Sequence, residues 1–308
     1  MGKNIGILGA TGVVGRQMMQ CLAERDFDVD NLRLFASERS AGKKLNFYGS
    51  DIVIENAATA DFSGIDIMLG AADNKTATDL SPKIVNSGAV FVDNSSAFRM
   101  NSDVPLVVPE INAEDAKNNS GIISNPNCST IIALVAISGI AANVKINSIV
   151  ASTYQAASGA GQAGLSELEG QLNAFGAAQI PNAKAFDYQL ACNLIPSIGS
   201  DTGNGFTTEE MKMQNEGRKI LHLPELNVSC TCVRVPVMRS HSISLSLFLD
   251  EQISAQQART FVLNSKGCKL VDDLNANKYP MPLSTTNQDE VYVGRIRNGL
   301  ADKNEICL

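Results

Sequence analysis

The sequence has no run of basic residues and no hydrophobic run long enough to cross a membrane. Its formal net charge is −7 over 308 residues, which argues against nucleic acid and anionic membrane surfaces as partners. The longest apolar stretch, Thr130 to Val144, has about 15 residues and is interrupted by Ser138 and Gly139, so it is short for a bilayer span. Met1 to Asn4 lead directly into a short strand and not into the apolar region of a signal peptide. We therefore expect a cytoplasmic location.

Histidine is scarce, and the cysteines lack the spacing of a disulfide framework or a zinc site. Only His222 and His241 are present, which leaves few candidates for a general base. The cysteines are an odd number, seven, without a CxxC pair or a nearby pair of histidines, so we predict neither disulfides nor a metal. Cys230 and Cys232 alternate along a predicted strand, Val228 to Val235, which indicates core packing.

Short apolar strands alternate with helical or loop segments in the first part of the chain. The predicted strands are 4–9, 32–36, 65–69, 89–92, 106–108 and 121–124. Such alternation predicts an α/β fold with a Rossmann-type doubly wound parallel sheet. The length allows two domains with sizeable cores, and we assign residues 1–127 to the first of them.

The pattern changes after residue 127, where the predicted strands become longer. They cover 146–154, 228–237 and 242–249, with a helix at about 164–175 between them. We predict an α+β domain with a mixed sheet over residues 128–308.

A glycine turn follows the first strand and precedes a helix. Gly9, Gly12 and Gly15 follow GxxGxxG spacing, not GxGxxG. Glycines permit close backbone approach to a pyrophosphate, which a helix N-terminus attracts. Glycine turns are common, but the position of this one at the start of the alternating pattern favours dinucleotide binding.

The residues after the second strand bear on the choice of dinucleotide. Ser37, Arg39 and Ser40 lie there, and an arginine at this place favours the 2′-phosphate of NADP. Glu38 is a counter-indication, although strand alternation would turn its side chain away from those of its neighbours. The alternative is an ordinary solvated turn.

Cys128 directly follows the turn Asn125-Pro126-Asn127 and opens an apolar helical run. Backbone N–H groups and the helix dipole stabilise a thiolate at a helix N-terminus, and can lower the pKa of a thiol from about 8.5 into the neutral range. The alternative is a buried, inert cysteine. The turn and the helix start favour a nucleophile.

His241 is the favoured partner of Cys128. A predicted strand, a turn and a second strand bring His241 near Arg234 and Arg239. Guanidinium groups bind carboxylates or phosphates, and an imidazole can transfer protons near neutral pH. His222 lies in an apolar helical segment instead. For a single histidine the alternative is a structural role.

Three further segments carry polar residues in favourable places. Gln155 begins a glycine-rich loop and could position an acyl group. Arg99 lies at the C-terminal edge of the predicted sheet, where doubly wound folds bind ligands. Glu209 and Lys212 begin a helix and offer both charges within one turn. A mobile loop and a solvated helix face are the ordinary alternatives for the first and last of these.

Together these segments closely resemble bacterial aspartate-β-semialdehyde dehydrogenases over essentially the whole chain. The segments that carry the resemblance are Gly9–Gly15, Asp93–Arg99, Ser124–Thr130, Tyr154–Gly161, Glu209–Lys212 and Arg234–His241. The resemblance implies NADPH-dependent reduction of L-4-aspartyl phosphate to aspartate-4-semialdehyde through a cysteine thioester, in the biosynthesis of lysine, threonine, methionine and isoleucine. It also implies a homodimer formed through the second domain, or a dimer of dimers.

The resemblance assigns roles to individual residues. Cys128 would be the nucleophile and His241 the acid and base, with Gln155 as a third catalytic residue. The implied substrate-binding residues are Arg99 and Lys212 for phosphate, Arg234 for the α-carboxylate, Glu209 near the amino group, and Asn127 and Gln155. The implied NADP-binding residues are Gly9, Thr11, Gly12, Val13, Val14, Ser37, Arg39, Ser40, Ala72, Ser158 and Gly159.

One departure and two alternatives accompany the resemblance. Members of that family continue beyond the strand that here ends at Leu308, with a helix that returns to the nucleotide domain, so we expect either a truncated chain or cofactor binding without that support. N-acetyl-γ-glutamyl-phosphate reductases share the acyl-phosphate, cysteine and NADPH chemistry, but Glu209–Lys212 favours the aspartyl enzyme. A non-catalytic nucleotide-sensing protein is disfavoured because Cys128 and His241 are both present.

Overall fold

Residues 2–179 and 182–308 are described in the computed structural model, and the chain divides into two compact units. The first unit comprises Met1–Val107 and Asn112–Pro126, and the second comprises Val108–Ile111 and Asn127–Leu308. Within the described ranges, no helix combines the length and the apolar character that a membrane crossing requires.

A seven-stranded sheet forms the frame of the first unit. Its strands are β1 (Lys3–Leu8), β2 (Val29–Ala36), β3 (Lys44–Phe47), β4 (Ser50–Asn56), β5 (Ile67–Gly70), β6 (Val90–Asp93) and β7 (Ile122–Ser124). Their order across the sheet is β3-β4-β2-β1-β5-β6-β7, and all neighbours are parallel except the antiparallel pair β3 and β4. The predicted doubly wound parallel sheet is confirmed.

Apolar side chains cover both faces of this sheet, as a parallel sheet with helices on both sides requires. The helices of this unit are α1 (Val13–Glu24) and α2 (Asn74–Asn86), whereas most of the short α3 (Pro109–Asn112) belongs to the second unit. Ile7 of β1 packs with Met19 of α1 in one cluster. Leu8, the next residue of β1, packs with Ile84 of α2 in the other. Successive residues of a central strand therefore face the two opposite helical layers.

One local prediction for this unit is wrong, and two strands were missed. Leu106 forms an isolated bridge with Ser124 and not a strand over 106–108, because Pro105 lacks a donor and Pro109 begins α3. Strands β3 and β4 were not predicted at all. They form a half-exposed hairpin at the sheet edge. Polar residues interrupt the alternation of apolar and polar positions there, so the sequence pattern does not indicate a strand.

The second unit is built on a mixed sheet. Its strands are β8 (Ile146–Gln155), β9 (Asn227–Arg234), β10 (Ser242–Leu249), β11 (Cys268–Leu270), β12 (Val291–Val293), β13 (Arg297–Asn298) and β14 (Glu305–Cys307). Five of them form a sheet in the order β13-β14-β10-β8-β9, in which β8 and β9 are parallel and the other neighbours antiparallel; β11 and β12 pair separately. The predicted mixed sheet is confirmed, although β9 ends at Arg234 and not at Val237.

Helices position the polar residues of this unit. They are α4 (Cys128–Ala141), α5 (Gly161–Gly176), α6 (Thr208–Ile220), α7 (Ala255–Leu263) and α8 (Pro282–Thr285). Helix α6 lies against both α4 and β9. Because β8 and β9 are parallel and in register from Ser148↔Asn227 to Gln155↔Arg234, Gln155 and Arg234 end side by side. Cys230 and Cys232 are buried, which confirms their predicted place in the core.

Candidate functional site

Cys128 is the first residue of α4, and its thiol is exposed. Asn127 caps the helix, because its side-chain oxygen accepts hydrogen bonds from the N–H groups of Ser129 at 3.0 Å and Thr130 at 3.2 Å. The Cys128 Sγ lies 3.3 Å from Nε2 of His241. The thiol thus combines a helix N-terminus, access to solvent and an imidazole partner, the three conditions of a reactive cysteine.

The second ring nitrogen of His241 fixes the position of its proton. The N–H of Ala156 donates to Nδ1 at 2.9 Å, so Nδ1 keeps its lone pair and a neutral ring carries its proton on Nε2, facing the sulfur of Cys128. Burial, together with the positive charge of Arg234, lowers the pKa of His241 to about 4. At neutral pH the ring is therefore uncharged and presents an Nε2–H donor to Cys128.

Arg234 is held beside His241 at the end of β9. It is 7% exposed, and its Nη1 donates to the carbonyl oxygen of Ala156 at 2.7 Å. Its guanidinium carbon lies 5.9 Å from the ring centre of Phe186. A Cβ atom at Gly159 would come within 2.8 Å of Nη1 and 3.4 Å of the His241 ring. Glycine at this position therefore lets the guanidinium and the imidazole approach the loop after β8.

Glu209 connects several of the predicted residues. Its Oε1 accepts hydrogen bonds from the side-chain amides of Asn127 at 2.9 Å and Gln155 at 3.1 Å, and its Oε2 accepts one from Lys212 at 2.8 Å. Burial opposes the charge of Glu209, but the hydrogen bond and charge of Lys212 and the two amides lower its pKa overall. Glu209 is therefore ionised at neutral pH.

Gln155 is 1% exposed, and both ends of its amide bond to protein groups. Its nitrogen donates to Glu209, and its oxygen accepts from the hydroxyl of Thr153 at 3.1 Å. In this arrangement Gln155 supports Glu209. Direct contact with an acyl group stays a prediction.

The second unit brings most of the predicted catalytic and substrate-binding residues into one connected set. The members are Asn127, Cys128, Gln155, Glu209, Lys212, Arg234 and His241. A cavity of about 510 Å³ in the same unit is lined by His241 and Tyr154, but not by Cys128, Glu209 or Arg234. The connected set, and not this cavity, is therefore the candidate site.

The glycine turn of the first unit fits a dinucleotide. Gly9 has φ +87°, and a Cβ atom there would come within 2.6 Å of the carbonyl oxygen of Ala71. A Cβ atom at Gly15 would come within 2.5 Å of the carbonyl oxygen of Gly9. Gly12 caps α1 without a side-chain hydrogen bond. The first-turn N–H groups of α1, beside Thr11, Val13 and Val14, are thus suited to a phosphate.

The residues after β2 form a short 3-10 helix, Glu38–Ser40. Side chains in this conformation do not alternate, so the prediction that strand alternation turns Glu38 away from its neighbours is wrong. Glu38 and Arg39 are exposed, whereas Ser37 keeps an extended conformation and Ser40 is buried. The exposed guanidinium of Arg39 follows the strand next to β1.

Arg99 and Ala72 also belong to the first unit. Arg99 is buried, and it donates from Nε to the carbonyl oxygen of Ser95 and from Nη2 to that of Asn94, both at 2.9 Å. Ala72 lies just after β5 and is half-buried. Within residues 2–179 and 182–308, no three acidic, cysteine or histidine side chains are grouped so that they could hold a metal ion.

Sequence reasoning missed two groups of this site. One is the N–H of Ala156, which a sequence motif does not distinguish from any other backbone group. The other is Glu216, whose Oε2 accepts a hydrogen bond from the backbone N–H of Asn127 at 2.6 Å. Its position two helical turns after Glu209, on the same face of α6, could have indicated it.

These features define a class of protein: an oxidoreductase with a nicotinamide-nucleotide unit and an α+β unit that carries a cysteine–histidine pair. Residues 4–119 match the family model described as semialdehyde dehydrogenase, NAD binding domain, and residues 137–308 match semialdehyde dehydrogenase, dimerisation domain. The chain belongs to the aspartate-semialdehyde dehydrogenase family, as individual relatives also show.

The aspartate-semialdehyde dehydrogenase of Aquifex aeolicus is 46% identical over 301 residues, which cover 96% of this chain and 88% of the relative. The crystal structure of aspartate semialdehyde dehydrogenase II from Vibrio cholerae, complexed with ASA, has a TM-score of 0.97 at 39% identity and covers 100% of this chain and 91% of that one. The Candida albicans enzyme with NADP shares the fold, with a TM-score of 0.77 at 24% identity, over 100% of this chain and 92% of its own. The predicted family and enzyme class, an oxidoreductase that acts on an aldehyde with a nicotinamide cofactor, are confirmed.

Proposed function

We propose that this chain reduces L-4-aspartyl phosphate to L-aspartate-4-semialdehyde with NADPH and release of phosphate, in the biosynthesis of lysine, threonine, methionine and isoleucine. The observation that carries the proposal is the exposed Cys128 thiol at the start of α4, 3.3 Å from Nε2 of His241 and connected through Ala156 to the buried Arg234. Phosphate-dependent reduction of NADP with aspartate semialdehyde tests it in the reverse direction. Turnover with N-acetylglutamate semialdehyde instead would favour the reductase alternative.

The chemistry follows from the positions of the side chains. The Cys128 thiolate attacks the acyl carbon, so that a carbon–sulfur bond forms and the carbon–oxygen bond to phosphate breaks. NADPH, when bound, supplies the hydride for reduction of the thioester carbon. His241 holds its proton at Nε2 beside the sulfur, where it stabilises the thiolate and can donate to the oxygen on the acyl carbon. After reduction the carbon–sulfur bond breaks, which releases the aldehyde and returns the Cys128 thiolate.

The charges of the site match those of the substrate. Arg234 is proposed to bind the α-carboxylate, since a guanidinium binds a carboxylate through two parallel hydrogen bonds. The ionised Glu209 is proposed to bind the amino group of the substrate. The side-chain amides of Asn127 and Gln155 hold the carboxylate of Glu209 in place. Lys212 and Arg99 are proposed to bind the phosphate.

Arg234→Lys tests the carboxylate assignment. Lysine keeps the charge but loses the fork, so we expect kcat/KM to fall about ten- to a hundredfold, the equivalent of one charge-assisted hydrogen bond. Steady-state kinetics with aspartate semialdehyde measure this. Arg297→Lys, at an exposed arginine of β13 in the same unit, is the control and should leave kcat/KM unchanged. Equal kcat/KM for Arg234→Lys and the unchanged chain would contradict the assignment.

NADP is proposed as the cofactor rather than NAD. The exposed Arg39 and its neighbour Ser40 at the end of β2 support this, since a cation there suits a 2′-phosphate. The glycine turn with Thr11, Val13 and Val14, together with Ser37, Ala72, Ser158 and Gly159, is proposed to complete the site.

Arg39→Ala tests the choice of cofactor. Loss of a charge-assisted interaction of about 1.5 to 3 kcal/mol should weaken NADP binding roughly ten- to a hundredfold and leave NAD binding unchanged. Calorimetric titration of both cofactors measures these affinities. Arg25→Ala is the control, because Arg25 is exposed and lies at the C-terminal end of α1, opposite the glycine turn; it should leave both affinities unchanged. An equal loss for both cofactors would mean that Arg39 only supports the turn. If the unchanged chain prefers NAD, Glu38, by binding the ribose hydroxyls, and not Arg39 would determine the choice of cofactor.

A homodimer, or a dimer of dimers, is proposed to form through the second unit. The family-model description of residues 137–308 supports this, and so does one face of the mixed sheet, where Val150 and Tyr154 of β8 are exposed among small polar residues. Light scattering that shows only monomer at micromolar concentration would contradict it. The cytoplasmic location stays a prediction, which fractionation of expressing cells would test.

A further inference from the structure

Helix α6 carries a carboxylate where two physical effects disfavour one. Glu216 is 2% exposed, and it lies in the C-terminal half of α6, which ends at Ile220. Burial removes the hydration of a carboxylate, and the negative end of a helix dipole repels it. Specific hydrogen bonds offset the free-energy cost of burying such a side chain. One of them is the hydrogen bond that Glu216 Oε2 accepts from the Asn127 N–H at 2.6 Å.

Asn127 is consequently held at three points. Glu216 accepts its backbone N–H, Glu209 accepts its side-chain nitrogen, and its side-chain oxygen caps α4. Its backbone has φ −62° and ψ 142°, and rotation about these bonds would swing the next residue, Cys128, relative to α4. The three contacts together fix both torsions.

The two carboxylates of α6 act on different parts of the site. Glu209 contacts the side chains of Gln155 and Lys212, which are proposed to support or bind the substrate. Glu216 instead contacts the peptide group that precedes the nucleophile. A change at Glu209, which also holds the Asn127 side chain, should therefore alter both substrate binding and the thiol, whereas a change at Glu216 should alter the thiol alone.

We infer that Glu216 is a positioning residue for Cys128: by accepting the Asn127 N–H it fixes the direction of the thiol at the start of α4. The inference rests on the proposed role of Cys128 as nucleophile. It assigns Glu216 to the chemical step and not to substrate binding.

Glu216→Leu removes the acceptor while filling the space, and Glu216→Gln keeps an oxygen that can accept the same N–H. For Glu216→Leu we expect kcat to fall about ten- to a hundredfold, the effect of a small displacement of a reacting group, with KM within about twofold of its original value. Alkylation of Cys128 by iodoacetamide, followed by mass spectrometry of its peptide without substrate, should slow to a similar degree. Glu216→Gln should restore both rates to near their original values.

A control separates position from stability. Glu305→Leu removes another buried carboxylate of the second unit, one that accepts the N–H of Ala301 at 3.2 Å in the turn before β14. It should lower the melting temperature without slowing alkylation of Cys128. Should Glu216→Leu fail to fold, Glu216→Asp, which keeps the charge but is one methylene shorter, should give a smaller loss of kcat in the same direction.

Two results would overturn the inference. One is a folded Glu216→Leu, or Glu216→Asp in its place, with unchanged kcat and unchanged alkylation of Cys128. The other is Glu216→Gln impaired as strongly as Glu216→Leu, which would make the charge and not the accepted N–H the cause. Failure of the proposed function is recognised separately, because the unchanged chain would then not turn over aspartate semialdehyde, while the alkylation rates of Cys128 could still be compared. Turnover that survives Cys128→Ala would instead refute the role of Cys128 as nucleophile.

Discussion

Cys128→Ala should remove turnover of aspartate semialdehyde and should leave binding of the proposed cofactor, NADP, intact. The thiol is a reactant, so its loss should lower kcat by roughly four orders of magnitude or more, as the loss of a nucleophile does in other covalent enzymes. The cofactor residues proposed above lie mostly in the glycine turn and after β2, so calorimetric titration should give the original NADP affinity. Steady-state kinetics and titration of the same preparation measure both effects.

Cys192→Ala is the matched control, since Cys192 is also an exposed thiol of the second unit. It should leave kcat unchanged. Mass spectrometry of the unchanged chain after incubation with substrate should find the acyl group on Cys128. An acyl group on another cysteine, with Cys128 unmodified, would refute the assignment.

His241→Asn should lower kcat by about 10²- to 10⁴-fold with a smaller change in KM, because it removes a proton donor and not a binding group. Asparagine offers an oxygen to the Ala156 N–H, so the local hydrogen bond is kept while the Nε2–H beside the sulfur is lost. His222→Asn, at the other histidine, is the control and should behave like the unchanged chain. A mainly KM effect would move His241 from the chemistry to substrate binding.

The pH dependence of kcat tests the protonation state of His241. Because the pKa of His241 is lowered to about 4, its ring is neutral at every pH above that value and does not titrate near 6.5. The kcat of the unchanged chain should therefore show no loss from histidine protonation between pH 7 and about 5. An acid limb near pH 6.5 that disappears in His241→Asn would contradict the described surroundings of the ring.

The parts of this site that a sequence can predict are those with local causes. The glycine turn, the start of α4 at Cys128 and the start of α6 near Glu209 each depend on a few neighbouring residues, and the structure has them as expected. The contacts of Glu216 with Asn127 and of Ala156 with His241 join residues 89 and 85 positions apart. Such contacts depend on how helices and strands pack, and a single sequence gives no direct signal of them.

The wrong predictions of local structure have equally specific causes. The alternation assumed through Glu38 fails because the chain leaves the extended conformation at that residue. The strand expected at 106–108 fails because prolines at both ends leave too few donors for a ladder. Hydrophobic pattern alone does not report either event, whereas proline positions would have indicated the second.

We expect Cys128 to be more sensitive to oxidants than Cys230 and Cys268. Burial raises the pKa of the Cys268 thiol to about 11, and the hydrogen bond with Cys232 together with burial raises that of Cys230. Cys230 is buried and Cys268 is partly buried, and both thiols stay protonated, while Cys128 is exposed and faces a hydrogen-bond donor. Peroxide reacts with thiolates that it can reach, so it should convert Cys128 to a sulfenic acid ahead of these two thiols. The sulfur atom proposed to carry out catalysis is thus also one that peroxide is expected to inactivate.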